Sequence, residues 1–462
     1  MRILILGAGR VGESVAESMC SEQNDITLID PDPDRLHDLE DRLDLRGVTG
    51  NGIQPSVLRQ AGAQDADLFI ACASLDETNL TACRVAKSIF GVPTTIARLR
   101  SGEFEDGSEL LGKAGFGVDH VICPEESVMH TIHQLIDYPE ALQILEFSHG
   151  RAHLIAVRAD AGSVLVNHTI GEFKALFPAA PMRVVAIYRQ DKDLPVSIDT
   201  RVLPGDEVFV LADKHKIRQV LRAIHQDVRP VRRVMIAGGG KVGLRLARSL
   251  VGQCEVKVIE RDRKRCDYIA GELPNSMLVL CGDATDEDVL TDESVNEMDL
   301  FIALSDDDED NILSTMLAKR LGARRVISLI NRRIYAEMME GSAIDITFSP
   351  AQTVIGELLV HVRRGALAAV HSLRRGAAEA IEGVARGDAK SSHLVGRRVQ
   401  DIDLPEGARM GAVVRGEGDA CQVLMPHHDL RIETNDHVII FIPNKRLLRP
   451  VEKLFQVRAT FF

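Results

Sequence analysis

One signature occurs twice in this chain. Residues Ile3 to Gly12 read ILILGAGRVG, and residues Val234 to Gly243 read VMIAGGGKVG. Each is an apolar β-type run, then G-x-G-x-x-G, then a helical pattern. About 20 residues further on, a second apolar run ends in an acid, ITLID at Asp30 and VKVIE at Glu260. A lone G-x-G-x-x-G says little. Strand, glycines, helix, strand and terminal acid in that order specify the opening βαβ of a Rossmann-like sheet with a dinucleotide at its edge. Two such units, with no obvious catalytic domain beside either, argue against a simple dehydrogenase.

The glycines have separate tasks. Gly7 allows the tight turn out of the strand, Gly9 lets backbone approach a pyrophosphate, and Gly12 lets the helix pack on the sheet. Gly238, Gly240 and Gly243 repeat them. The pyrophosphate would sit at the helix N-terminus, where free N–H groups and the dipole favour an anion. Asp30 and Glu260 would accept hydrogen bonds from ribose hydroxyls. A carboxylate there repels a 2′-phosphate and favours NAD(H) over NADP(H), although Arg35, Arg261 and Arg263 stand near enough to temper that. The alternative, that a unit has lost its ligand and keeps its glycines for packing, stays open and bears more on the second unit.

Composition narrows the class. A length of 462 residues predicts about three or four domains. No run approaches the ~18 apolar residues of a membrane-spanning helix, and an N-terminus that enters a strand at once is not read as a signal peptide. Eight scattered cysteines without C-x-x-C spacing point to reduced thiols in a cytosolic protein. A net charge of −13, no Trp and few aromatics disfavour nucleic acid as a partner.

The duplication extends past the glycines. DLFIA at Asp67 to Ala71 returns at Asp299 to Ala303, followed by SLDETN ending at Asn79 and SDDDEDN ending at Asn311. Gly50-Asn51 matches Gly282-Asp283, and ICPEESV (Ile122 to Val128) matches FSPAQTV (Phe348 to Val354). Each unit reads as β-α-β-α-β-α-β with a parallel sheet. Two smaller segments also match: VLVNHTIGEF (Val164 to Phe173) with HLVGRRVQDI (His393 to Ile402), and VLPGDEVFVLADKHKIRQV (Val202 to Val220) with RIETNDHVIIFIPNKRLLRPV (Arg431 to Val451). Each reads as short alternating strands, a G-D or N-D turn, a last strand and a helix. The predicted fold is α/β: Rossmann-like domains at 1–125 and 231–350, each followed by a small α+β lobe, at 142–226 and 367–462. His225 to Arg233 and His361 to Val370 read as linkers. The period is far too long for a solenoid.

This order, with MRILILGAGRVGESVAESM, TLID, TGNG, ARLR and CPEESV in the first half and GGGKVG, CGD and DLFIALSDDDEDN in the second, resembles the TrkA family, cytoplasmic regulators of bacterial Trk potassium uptake with tandem RCK modules. The resemblance covers essentially the whole chain. It implies a nucleotide-binding subunit, for NAD or NADH or alternatively ATP or ADP, that docks on an integral-membrane potassium-transport subunit without inserting itself. It implies a location at the cytoplasmic face of the inner membrane and a homotetramer carrying a ring of eight Rossmann units.

Family positions then transfer residue by residue. Gly7, Ala8, Gly9, Arg10, Val11 and Gly12 would meet the pyrophosphate, with Arg10 able to reach a phosphate. Asp30 would hold the ribose, Asn51 would lie beside adenine or ribose, Ala73 and Ser74 would line the crevice, and Arg98 would cross its floor. In the second unit the counterparts are Gly238, Gly239, Gly240, Lys241, Val242 and Gly243, with Glu260, Asp283, Ser305 and Asp306. Arg98 aligns with Leu329, which leaves open whether both sites take the same ligand.

Other residues have plainer readings. The acids from Asp306 to Asp310 suit a solvated loop whose last acid supports a helix N-terminus better than a metal or potassium site. His427 and His428 lack a third ligand and read as surface. Cys72 and Cys83 read as core thiols, and His130 and His133 as one packed helix face. No Cys-His or Ser-His-Asp arrangement can be nominated in either small lobe. An NAD-dependent oxidoreductase with duplicated domains remains the alternative, and nicotinamide turnover would discriminate it.

Overall fold

The computed structural model describes the chain except residues 21–23, 101–103, 105–108, 161, 177–181, 191, 226–228, 340, 364–365, 374–376, 417, 419–420 and 458–462. It divides into two compact units, one of Met1–His130 and Arg232–Ile355, the other of Thr131–Val231 and Gly356–Phe462. The two Rossmann-like modules share the first unit and the two small lobes share the second.

The first module runs β1 (Arg2–Leu6), α1 (Arg10–Cys20), β2 (Asp25–Asp30), α2 (Pro33–Arg42), β3 (Arg46–Thr49), α3 (Pro55–Gln60), β4 (Leu68–Ala71), α4 (Asp76–Phe90), β5 (Thr94–Arg98), β6 (His120–Ile122) and α5 (Pro124–Asp137). The first lobe follows with β7 (Ala141–Phe147), β8 (Ala152–Arg158), α6 (Ile170–Leu176), β9 (Met182–Arg189), β10 (Lys192–Asp193), β11 (Glu207–Asp213) and α7 (Ile217–Ile224). The second module repeats the first as β12 (Arg233–Ala237), α8 (Lys241–Ser249), β13 (Glu255–Glu260), α9 (Arg263–Glu272), β14 (Leu278–Cys281), α10 (Glu287–Asp292), β15 (Leu300–Ala303), α11 (Asp308–Arg320), β16 (Arg325–Leu329), α12 (Arg333–Met338), β17 (Ile346–Phe348) and α13 (Pro350–Val362). The second lobe has β18 (Leu367–Leu373), β19 (Ala378–Val384), β20 (Arg409–Arg415), β21 (Gln422–Leu424), β22 (His437–Ile442) and α14 (Leu448–Leu454).

The large sheets have the order β3-β2-β1-β4-β5-β6 and β14-β13-β12-β15-β16-β17. Their strand pairs are parallel. Each sheet has six strands, two more than the β-α-β-α-β-α-β pattern gives: β5 and β16 extend it, and β6 and β17 are three-residue edges too short to carry a period. The central strands are apolar on both faces because helices cover both: LFIA is wholly buried in β4 and again in β15. Helix starts are set locally. Asp32 accepts from the N–H groups of Asp34 and Arg35 ahead of α2, whose first residue is Pro33. Asp262 accepts from the Arg265 N–H at α9.

The lobe sheets are antiparallel, β10-β9-β11-β8-β7 and β18-β19-β22-β20-β21. Here the alternating pattern expected from sequence fails. Nearly every residue of β8 and all of β19 are buried. One face of the first lobe's sheet packs on Ile217, Val220, Leu221 and Ile224 of α7. The other face, with Phe147, Leu154 and Phe209, shares a core with Ala380, Ala412, Ile439 and Phe441 of the second lobe. Strands covered on both sides lose their polar face. The expected turns are real: Gly205 and Asn435 have φ of 87° and 69°, and the acids after them, Asp206 and Asp436, are buried and chelate Arg189 and Arg415 through paired hydrogen bonds of 2.8–2.9 Å. The expected linkers are partly elements instead. Arg233 already belongs to β12, His361 and Val362 end α13, and Leu367 starts β18; residues 226–228 and 364–365 of those stretches lie outside the described residues.

Candidate functional site

Two crevices open at the C-terminal ends of the central strands, where strand order reverses between β1 and β4 and between β12 and β15. In the first, Gly7 leaves β1 with φ +101°. A Cβ there would stand 2.9 Å from the Ala73 nitrogen, and one on Gly12 would stand 1.8 Å from the Gly7 oxygen. These glycines hold the loop, β4 and α1 together. Gly9 differs: a Cβ on it would meet nothing within 4 Å. Its bare backbone faces open space beside the first turn of α1, whose N–H groups have no intrahelical acceptor.

Asp30 is buried and braces this loop. One carboxylate oxygen accepts from the Ala8 N–H at 2.6 Å and the other from the Asp32 N–H at 3.0 Å. Each oxygen retains a lone pair for a further donor. The second crevice reproduces the arrangement, with the Gly239 N–H on Glu260 at 2.8 Å and the Asp262 N–H on its other oxygen at 2.9 Å. The added methylene of Glu260 is accommodated at Gly239, where a Cβ would lie 3.0 Å from the Glu260 carboxylate and 2.2 Å from Ile269 Cδ1. Asp with Ala in one repeat and Glu with Gly in the other are two solutions to the same contact. Gly240, like Gly9, has nothing near its Cβ direction.

The floors differ. Arg98, at the end of β5, is nearly buried, and its Nη2 donates to Glu125 of α5 at 3.3 Å. Its Nε is buried without a partner in the protein. Arg100 reaches the same carboxylate at 3.7 Å. Arg98 is thus drawn into an ion pair with Glu125, and its orphaned Nε suits an added acceptor. Register places Leu329 and Ala351, both buried, at the positions of Arg98 and Glu125 in the second module. The whole ion pair is replaced by apolar side chains.

The remaining expected residues fall around these crevices. Val11 is buried at the start of α1 and Val242 half-buried at the start of α8, while Lys241 is exposed. Asn51 accepts from the Ile53 N–H after β3. Asp283 accepts from the Thr285 N–H and hydroxyl, which hold its carboxyl below the usual range. Ala73 and Ser74 follow β4; Ser305 and Asp306 follow β15. Arg10 is exposed, and its Nη1 donates to the Asp306 carbonyl at 3.3 Å. The mouth of one crevice therefore touches the mouth of the other. Arg245 to the Arg100 carbonyl and Arg333 to Glu17 also join the two modules.

Sequence reasoning missed the residues that brace the rims. Asn79 is fully buried; its Oδ1 accepts from the Ala73 N–H, and its Nδ2 donates to the carbonyls of Ala73 and Arg98. Asn311 does the same for Ser305 and Leu329. Asp76 accepts from the Arg100 N–H, and Asp308 from those of Asn331 and Arg332. The signal was present: an Asp and an Asn three residues apart stand at equal distances after DLFIA in both repeats. Asp308 corrects the solvated-loop reading for one acid of its run, being only 3% exposed. The cap of that helix is Asp307, not the last acid of the run as expected: it accepts from the N–H of Asp310, which already lies in the first turn. His427 and His428 are exposed. Cys72 and Cys83 are buried, and burial pushes the Cys72 thiol up to about 12 and the Cys83 thiol higher.

Comparison with known proteins agrees with this geometry. The TrkA-N domain matches residues 3–124 and 234–350, and the TrkA-C domain matches residues 154–225 and 388–456. The Trk system potassium uptake protein TrkA of Halomonas elongata is 47% identical over 462 residues, all of both chains. Its namesake in Vibrio alginolyticus is 46% identical over the same span. An archaeal TrkA homolog from Archaeoglobus fulgidus is 32% identical, covering 96% of this chain and 97% of its own. Among solved structures, the GsuK RCK domain aligns with a TM-score of 0.61 at 16% identity, covering 98% of this chain and 94% of that one. The GsuK channel bound to NAD aligns with the same score, covering 98% and 78%. At that identity the likeness is one of fold.

Proposed function

This chain belongs to the TrkA family, and from that premise we propose that it is the nucleotide-binding subunit that regulates a Trk-type membrane potassium transporter. The observation that carries the reading is the pair of crevices: in each, a bare glycine backbone at a helix N-terminus stands beside a braced carboxylate. Those groups suit the pyrophosphate and ribose of NAD or NADH, and the phosphates of ATP or ADP could use the same donors. Residues 7–12, Asp30, Asn51, Ala73, Ser74 and Arg98 are assigned to the first site. Residues 238–243, Glu260, Asp283, Ser305 and Asp306 are assigned to the second. With Leu329 in place of Arg98, the second site is assigned the weaker response to phosphate charge.

A ligand moves a conformational equilibrium only through unequal affinity for its two states. Shifting 1:99 to 99:1 takes ~5.5 kcal/mol in total. Four copies of the chain carry eight crevices, so a preference of ~3-fold at each would suffice. The homotetramer that the family implies would supply that number of sites. No helix among the described residues is long and apolar enough to cross a membrane, and the charge of −13 disfavours adsorption to anionic lipid. Attachment at the cytoplasmic face is therefore assigned to the transporter subunit.

Calorimetric titration tests the ribose assignment. Asp30→Ala removes a charged acceptor from the ligand and a brace from the loop. The expected loss at the first site is about 1.5–3 kcal/mol, or about ten- to a hundred-fold in NADH affinity. Unchanged affinity would remove Asp30 from the site. If Glu260→Ala has no effect while Asp30→Ala does, the second crevice is the one kept for packing.

The oxidoreductase alternative needs an acid, base or nucleophile facing a nicotinamide. None of the residues placed around either crevice forms such an arrangement with a substrate pocket. Purified protein incubated with NADH and carbonyl acceptors is expected to leave nicotinamide absorbance constant. Steady oxidation proportional to protein and lost in Asp30→Ala would overturn the regulatory reading.

A further inference from the structure

The second crevice carries a pair of thiols that its repeat lacks. Cys281 ends β14 and is exposed; Cys266 lies in the second turn's approach of α9 and is buried. The Cys266 thiol donates to the Glu260 carbonyl at 3.2 Å and lies 3.9 Å from the Leu280 carbonyl, which places it beside the backbone that carries Cys281. Register pairs Cys281 with Glu260 across the sheet. In the first module, Leu36 and Thr49 occupy the equivalent places. An apolar side chain on the helix and a hydroxyl on the strand therefore satisfy this fold, and packing does not explain the two sulfurs.

We propose that Cys266 and Cys281 are a redox-active dithiol, closed to an intramolecular disulfide by exchange with a low-molecular-weight disulfide of the glutathione class. The Cys281 thiolate attacks one sulfur of the oxidant, forming a mixed disulfide and releasing one thiolate. Cys266 then gives its proton to solvent and attacks the Cys281 sulfur, and the second thiolate leaves. The protein loses two hydrogens and the oxidant becomes two thiols. Exposure sets the roles: Cys281 is within reach of the oxidant, and Cys266 is covered and resolves. Burial and the neighbouring Cys281 push the Cys266 thiol up to about 12, which keeps it a donor until the mixed disulfide forms.

The disulfide would tie α9 to β14. It would also remove the thiol hydrogen bond to the backbone of Glu260, whose side chain holds the Gly239 N–H, and fix the strand that leads into Asp283. Redox state therefore acts on the second crevice and leaves the first alone. This consequence, unlike the disulfide itself, rests on the nucleotide-binding reading.

The test is incubation of the full-length protein with oxidised glutathione, alkylation of remaining thiols under denaturing conditions, and non-reducing peptide mapping. Expected is a crosslinked peptide pair joining Cys266 to Cys281, reversed by dithiothreitol. Cys281→Ser should give no crosslink, and Cys266→Ser should accumulate the glutathione adduct on Cys281. Cys266→Leu, which restores the first module's residue, should give the same adduct and guards against misfolding of the serine variant. Full alkylation of both thiols in wild type, or a lasting adduct on Cys281 with Cys266 intact, would overturn the proposal. In an Asp30→Ala background, crosslinking should change NADH affinity at the second site by about tenfold. Unchanged affinity in crosslinked protein would overturn the coupling, while absence of NADH binding in both redox states would indict the nucleotide reading and leave the peptide map to decide the disulfide.

Discussion

A protein carrying Gly9→Asp and Gly240→Asp is expected to fold as the wild type does, bind neither NADH nor ATP, and fail to restore regulated potassium uptake to cells lacking their own copy. The prediction depends on a difference among glycines that a motif does not reveal. At Gly7 and Gly12 a Cβ would strike backbone, so substitution there damages the fold and says nothing about ligand. At Gly9 and Gly240 the same atom meets nothing within 4 Å, and neither residue has positive φ. An Asp is therefore tolerated by the protein and intrudes where a phosphate would come. A like charge ~4 Å away costs about 4 kcal/mol at an effective dielectric constant of 20. That is about a thousand-fold in affinity before any steric term. The readouts are a thermal melt, a calorimetric titration and potassium uptake in complemented cells. A double variant that folds, binds no nucleotide and still restores normally regulated uptake would show that nucleotide binding is not the switch. The single variants separate the crevices.

What was legible in the sequence is what the fold specifies over short spans. The glycine loop, the strand before it, the acid closing the second strand and the DLFIA strand each rest on neighbours in the chain, and their duplication made them stronger. Strands β6 and β17 were missed because three residues at a sheet edge carry no period. The lobe strands were read as half-exposed because a shared core between the lobes cannot be inferred from one strand's residues; β19, Ala378–Val384, holds two glutamates yet is buried throughout. Arg98 was assigned to the crevice floor from the family pattern, but its tie to Glu125 depends on a residue from α5 and was invisible. The replacement of both by Leu329 and Ala351 becomes meaningful only once the strands are in register. The Cys266 and Cys281 thiols, fifteen positions apart, looked scattered until helix and strand brought them together.

Asn79 and Asn311 show how much of a site can rest on side chains that never need touch its ligand. Each lies in the first turns of the helix after the fourth strand and satisfies three backbone groups, joining the loop after that strand to the end of the next. Asn79 is 0% exposed and Asn311 1%, so water has little access to replace them. Asn79→Ala leaves an N–H and two carbonyls without partners, each costing about 1–3 kcal/mol when buried. Partial relaxation should bring the sum to about 3–5 kcal/mol, among the larger effects of a single substitution. Asn79→Asp keeps the acceptor but turns a second oxygen towards two carbonyls, so it should be no milder than alanine despite its shape. A chain with two compact units is unsuited to a single unfolding energy, so the measurement is amide hydrogen exchange. Protection should fall in β4, β5 and the start of α4, while the unit formed by the two lobes keeps its own. Nucleotide affinity should fall at the first crevice for Asn79→Ala and at the second for Asn311→Ala, because Ala73 and Ser305 lose the hydrogen bonds that hold the rims. Wild-type exchange across β4 and β5 in Asn79→Ala would mean that the rim is held by packing alone. A loss of protection without a loss of affinity would mean that the rim and the ligand are independent.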